Sequence, residues 1–135
     1  MLALALQPAG NGPLMVKDIA EQQKLPATYL EQLMVLLRKA GLVTAIRGAH
    51  GGYTLSRPAR EITLAEIIEV LEGPLSLTDC PNDAGCCGHP ESCALQDLWQ
   101  EASQALIGVF GNITLAELAE RQRNRVDNSV LMYSI

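Results

Sequence analysis

The chain has 135 residues, enough for one domain or a small domain with an appendage, and only five aromatic side chains, so its core must be built mainly from aliphatic residues. No apolar run approaches the roughly 20 residues needed to span a bilayer, and Met1–Leu6 is short and lacks a basic lead, so no signal peptide is expected and a cytoplasmic location is the default. The formal charge of −5 hides an asymmetry: residues 14–60 carry seven basic and three acidic side chains (+4), residues 61–135 three basic and twelve acidic (−9). Such a division points to a polyanion-binding part followed by a separate sensing or assembly part.

Alternating Leu2, Leu4 and Leu6, spaced by alanines and broken by Pro8 to Pro13, read as the end of a helix. Residues 16–23 predict a short helix with Ile19 and Ala20 inward. After the tight connection Lys24-Leu25, a second helix is expected over 26–40, with Pro26 in its first turn and Gly41 as its stop. Leu30, Leu33, Met34 and Leu37 make its apolar stripe. Two short helices joined by a minimal turn are a helix-turn-helix. Residues 42–46 and 53–56 then alternate like strands around the glycine-rich tip 47–52, a hairpin that would form a wing.

Thr63-Leu64-Ala65-Glu66 is a capping box that opens a helix to Leu71, closed by Gly73-Pro74. The phrase Ile-Thr-Leu-Ala-Glu recurs at 113–117 and opens a helix expected to end near Gln122; the flanks differ, so this reads as a reused helix start rather than a repeat. Between them, residues 94–110 carry the broad apolar face Leu95, Leu98, Trp99, Ala102, Leu106, Val109 and Phe110. That is more apolar surface than a peripheral helix needs, and part of it is expected to meet a second copy of the chain. The tail from Arg123 has no firm structural signal.

All four cysteines, Cys80, Cys86, Cys87 and Cys93, lie with His89 in a segment rich in Pro and Gly, which makes it a loop. Clustered thiols call for a metal or a disulfide, and a cytoplasmic location favours metal or redox chemistry. Zinc is an alternative, although the Cys-x-x-Cys knuckle is absent. A metal-free thiol switch is another. No catalytic constellation is visible, so an enzyme with a small-molecule substrate is not expected.

The segments Lys17–Glu21, Tyr29–Leu33, Arg38–Val43, Arg47-Gly48 with Gly51–Tyr53, Glu61–Leu64, Leu71–Pro74, the cysteine loop, Leu98-Trp99 and Asn112–Leu115 together resemble the family of the iron–sulfur cluster regulator IscR, which includes NsrR and CymR. The resemblance covers nearly the whole chain. It implies a mainly α fold with a small β-hairpin wing, that is, a winged helix-turn-helix plus a long dimerisation helix. It divides the chain into a DNA-binding domain (1–74), a cluster-binding loop (75–93), the dimerisation helix with the following short helix (94–122) and a tail (123–135). It also implies a homodimeric repressor that binds double-stranded promoter DNA under control of an iron–sulfur cluster, [2Fe–2S] preferred over [4Fe–4S], and regulates cluster-biogenesis genes. An electron carrier or cluster-delivery protein is a further alternative; basicity confined to the first half argues against it.

Carried over by position, Cys80, Cys86 and Cys93 are the expected ligands. The family pattern has five residues in each gap, whereas here the second gap has six, so Cys87 competes with Cys86 for the middle place. Gln96 stands where the resemblance places a histidine, and an amide oxygen is a poor ligand for iron. Cys87 and His89 are the replacements, with Gln96 the weaker choice. About a dozen residues of the family pattern, including a basic segment and a carboxylate used by NsrR-like members, precede the point at which this sequence begins. On the DNA side, Thr28, Tyr29, Glu31 and Gln32 are expected at the major groove, where Glu accepts from cytosine and Gln pairs with adenine. Arg47 is placed for a minor groove. Arg38, Lys39 and Arg57 are expected on phosphates.

Overall fold

The structure is a computed structural model that describes residues 1–8, 10–77 and 93–132, with backbone alone for 127–132. Its elements are α1 (Leu2–Leu6), α2 (Val16–Gln23), α3 (Ala27–Lys39), β1 (Val43–Ile46), β2 (Gly52–Leu55), a 3-10 turn (Ala59–Glu61), α4 (Leu64–Glu72), α5 (Ala94–Gly111) and α6 (Leu115–Met132). The fold is mainly helical with one antiparallel two-stranded wing.

Helices α2 and α3 meet at a turn with no spare residue. Lys24 ends α2 in the left-handed conformation (φ 54°), and the Leu25 N–H reaches back 2.9 Å to the Ala20 carbonyl, closing the last turn. Pro26 is the N-cap of α3, one place earlier than the sequence suggests: its ψ of 129° is extended, and its carbonyl accepts from Leu30 N–H. Gly41 (φ 74°) stops α3 as expected, with Leu42 N–H donating to Leu37 O at 2.9 Å. Leu30, Met34 and Leu37 are buried, while Leu33 is only half-buried. They join Leu4, Ile19, Ala20, Leu42, Val43, Ile62, Ile67 and Leu115 in one core.

The wing pairs Val43 with Leu55 through Ile46 with Gly52. The chain before α2 adds a bridge to it, because Leu14 and Tyr53 exchange N–H···O bonds of 3.0 and 2.8 Å. This fixes a glycine at position 52: a Cβ there would run into the Leu14 carbonyl. A Cβ at Gly51 would strike the Ile46 carbonyl. The wing is therefore tied to the body near its tip, where two adjacent glycines tolerate no side chain.

The two Ile-Thr-Leu-Ala-Glu phrases turn out to be partners. Leu64 N–H donates to Ile113 O (2.9 Å) and Leu115 N–H to Ile62 O (2.8 Å), an antiparallel bridge centred on Thr63 and Thr114. Each threonine caps its helix reciprocally with the glutamate three residues on. Ile62 is fully buried and Leu115 is 1% exposed. The phrase is thus used twice because its two copies lie face to face and join the two halves of the chain.

Two other expectations need correction. The second phrase opens a helix that does not end near Gln122 but continues to Met132. The residues read as a tail without structural signal belong mostly to α6. They contain no Gly or Pro, so nothing interrupts the helix, and α6 packs along α1, where Arg123 Nη2 donates to the Ala5 carbonyl. Helix α5 packs on α4 and buries a single side chain, Ser103.

Candidate nucleic-acid interface

The buried residues of α3 define its inner side, and at ~100° per residue the opposite side is fully determined. Thr28, Gln32, Val35 and Lys39 fall within about 60° of one another on the side facing away from the core, and all four are exposed. Glu31 and Arg38 form one flank of this stripe, and Tyr29 and Leu36 the other; all are exposed, Tyr29 at 49%. The structure therefore brings Thr28, Tyr29, Glu31, Gln32, Arg38 and Lys39 onto one open surface. Arg38 and Lys39 also occupy the last turn of the helix, where positive charge complements its dipole. Arg47 is exposed where β1 leaves for the wing tip.

Arg57 has a different situation from the one expected. Its guanidinium donates to Glu66 Oε1 at 2.6 Å and to the Glu61 carbonyl at 3.1 Å. Glu66 is at the same time the N3 residue of the α4 capping box. The Arg57 hydrogen bond and the Thr63 backbone N–H together hold the Glu66 carboxyl below the ordinary glutamate range. In this structure Arg57 fastens the end of the wing to α4, and a phosphate would have to compete with that carboxylate.

Of the expected cluster ligands, Cys93 is described: a free, half-buried thiol at the N-cap of α5. Gln96, one turn into α5, is partly buried, and its N–H donates to the Cys93 carbonyl at 3.0 Å. Cys80, Cys86, Cys87 and His89 lie outside the described residues. Among the described residues no group of three or more metal-binding side chains comes together. The donor set in the sequence, four thiols and an imidazole within residues 80–93, is chemically suited to iron.

The structure also reveals a residue with no sequence signal. Ser103 donates to the Trp99 carbonyl (2.8 Å) and accepts from the Leu77 N–H (3.2 Å). The chain that leads toward the cysteine segment is thereby fastened to the middle of α5, ten residues beyond Cys93. Leu95 (56%), Leu98 (55%), Ile107 (47%) and Val109 (55%) on α5 are exposed.

Comparison with known proteins gives a consistent result. The sequence profile of the Rrf2 family, described as an iron-dependent transcriptional regulator, matches residues 1–121. The HTH-type transcriptional regulator IscR of Klebsiella pneumoniae (strain 342) is 40% identical over 122 residues, 90% of this chain and 74% of that protein. Among solved structures, CymR, the global cysteine regulator of B. subtilis, superposes with a TM-score of 0.73 at 39% identity, covering 89% of this chain and 87% of the other. T. potens IscR gives 0.69 at 37% identity, covering 90% and 82%.

Proposed function

The chain belongs to the Rrf2 family of transcriptional regulators, and from that premise we propose that it is a homodimeric, cytoplasmic repressor whose binding to promoter DNA is controlled by an iron–sulfur cluster, [2Fe–2S] preferred, at Cys80, Cys86 and Cys93. The observation that carries the DNA half of this reading is the open stripe of α3. Its polar side chains, Lys39 among them, stand away from the core on a helix of 13 residues, Arg38 lies on their flank, and Arg47 is exposed at the start of the wing tip. Glu31 and Gln32 supply an acceptor and an amide for base edges, and the cations supply the salt-dependent attraction to phosphates. A dimer presents two such helices, so its operator is an inverted repeat.

The cysteine half rests on donor chemistry and on position. A bound cluster would supply a cross-link sensitive to oxidation and to iron supply. Cys93 sits at the first turn of α5, and Leu77 is fastened ten residues further along the same helix, so the segment between them has both ends on α5. A change within the segment is therefore felt by the helix whose exposed leucines are the candidate dimer contact. Cluster-biogenesis genes are the proposed targets, by likeness to IscR.

A second reading keeps the fold and the DNA site but uses the cysteines as a metal-free thiol switch or a zinc site. Two observations favour it: the amide of Gln96 in place of an imidazole, and the likeness to a cysteine regulator. An electron carrier or cluster-delivery protein does not fit a family of transcriptional regulators. Anaerobic purification followed by visible absorbance with iron, sulfide and zinc analysis separates the readings. Iron and sulfide in equal amounts, lost in Cys80→Ser and Cys93→Ser variants, support the cluster; zinc or neither metal in freshly isolated protein supports the second reading. Cluster retention by both Cys87→Ser and His89→Ala variants excludes those two as the fourth ligand.

A further inference from the structure

We infer that Val35 is a specificity-determining residue that packs on the 5-methyl group of a thymine in the operator. The inference rests on the proposal that α3 reads DNA, and it adds a contact for which the polar residues of the helix provide no substitute. Val35 lies on the outward stripe itself, between Gln32 and Lys39, and is 36% exposed. Its neighbours on the stripe, Thr28, Gln32 and Lys39, are all polar. A β-branched residue is a mediocre helix former, and this one is not among the buried α3 residues of the core, which are Leu30, Met34 and Leu37. Helix propensity does not account for a valine here, and its side chain is open enough to meet a partner.

The major groove offers one feature that an aliphatic side chain without donors or acceptors can recognise, the thymine methyl. The geometry suits that feature. Val35 follows Gln32 by three residues, ~4.5 Å along the helix axis, against a rise of about 3.4 Å per base pair. If Gln32 engages an adenine edge, the Val35 methyls come over a neighbouring base pair. Uracil and cytosine lack the methyl at that point, so Val35 discriminates where Glu31 and Gln32, which read hydrogen-bonding groups, cannot tell thymine from uracil.

The test is a double-mutant cycle between protein and DNA. An operator is first recovered from a random duplex library with the full-length wild-type protein. Each thymine in it is then replaced singly by deoxyuridine, which removes only the methyl, and both wild type and Val35→Ala are titrated against the whole set. The expected result is one position per half-site at which the wild type loses roughly fourfold in affinity, the effect of one buried methyl. At that same position Val35→Ala shows no difference between thymine and uracil, while its penalties elsewhere match the wild type. An unchanged circular dichroism melt for Val35→Ala establishes that the exposed site has not altered the fold. The inference is overturned if no thymine shows a methyl penalty with the wild type, or if Val35→Ala keeps every penalty the wild type has. Failure to recover any preferred sequence with the wild type overturns the DNA-binding reading instead.

Discussion

Helices α3 and α5 are both amphipathic, and the single chain treats them in opposite ways. Helix α3 buries Leu30, Met34 and Leu37 in the common core and turns a mostly polar stripe outward. Helix α5 buries only Ser103 and leaves Leu95, Leu98, Ile107 and Val109 about half exposed. The first pattern is that of a helix whose fold is complete and whose outer surface meets a polar, charged partner. The second is that of a helix with apolar side chains left open to a further apolar surface. One chain thus carries a face suited to nucleic acid and a face suited to protein, and the paired phrases around Thr63 and Thr114 are the join between them.

The sharpest way to break this contrast is to place a charge on α5. Leu98→Asp puts a carboxylate at the proposed dimer contact, once in each copy. It is expected to weaken association by about 3 kcal/mol or more, beyond the loss of two buried leucines. Sedimentation equilibrium should then report a monomer with its circular dichroism largely retained. A wild type that is monomeric, or a variant that remains as dimeric as the wild type, contradicts the assignment. The matching substitution in α3 acts on the fold instead. Met34, 1% exposed, is expected to cost ~2–5 kcal/mol when changed to Ala, read as a lower urea midpoint.

Smaller effects test the join. Thr63→Ala removes the side-chain acceptor of the α4 capping box and should cost ~1 kcal/mol, as should Thr114→Ala for α6. Smallest is the pH dependence of Glu66. Its folded-state carboxyl titrates below the ordinary value of 4.5, so the stabilisation it brings is present above that pH and is lost as pH falls beneath it through the folded-state value. Arg57 and Glu66 are 37% and 40% exposed, so solvent screening limits the pair to about 1 kcal/mol at most. Denaturation at pH 7 and pH 3.5 should show a smaller loss for Glu66→Gln than for wild type.

Much of the first half is legible from sequence because each element carries its own punctuation. Gly41 stops α3, glycines make the wing tip, and a Thr-x-x-Glu box starts α4. The bounds of α2 and the burial of Ile19 and Ala20 follow from period alone. What escapes a linear reading depends on partners distant along the chain. The twin phrases invite comparison, but only the fold brings Leu64 to Ile113. Arg57 looks like any surface cation until Glu66 is found beside it. Ser103 sits in an apolar pattern as a small polar residue, and its bond to Leu77 spans 26 residues. Beyond Gln122 only Val126 and Val130 continue the helical face of Leu115 and Ala119, among polar residues, so the periodicity is sparse there; the absence of Gly and Pro from 113 to 135 is the second signal.

The candidate site divides in the same way. The α3 residues are found by counting turns, and all of them are exposed, whereas the ligand set depends on the folding of residues 80–93, which spacing alone does not determine. Gln96 remains the clearest departure from the family pattern.

Control of DNA binding by the cysteine segment is tested most directly by titrating one selected operator duplex with a single anaerobic preparation, before and after removal of its iron and sulfide. Coupling between the two sites predicts an affinity change of at least fivefold, the lower end of typical allosteric coupling, at one operator or more. Equal affinity of the two forms at every operator would contradict it.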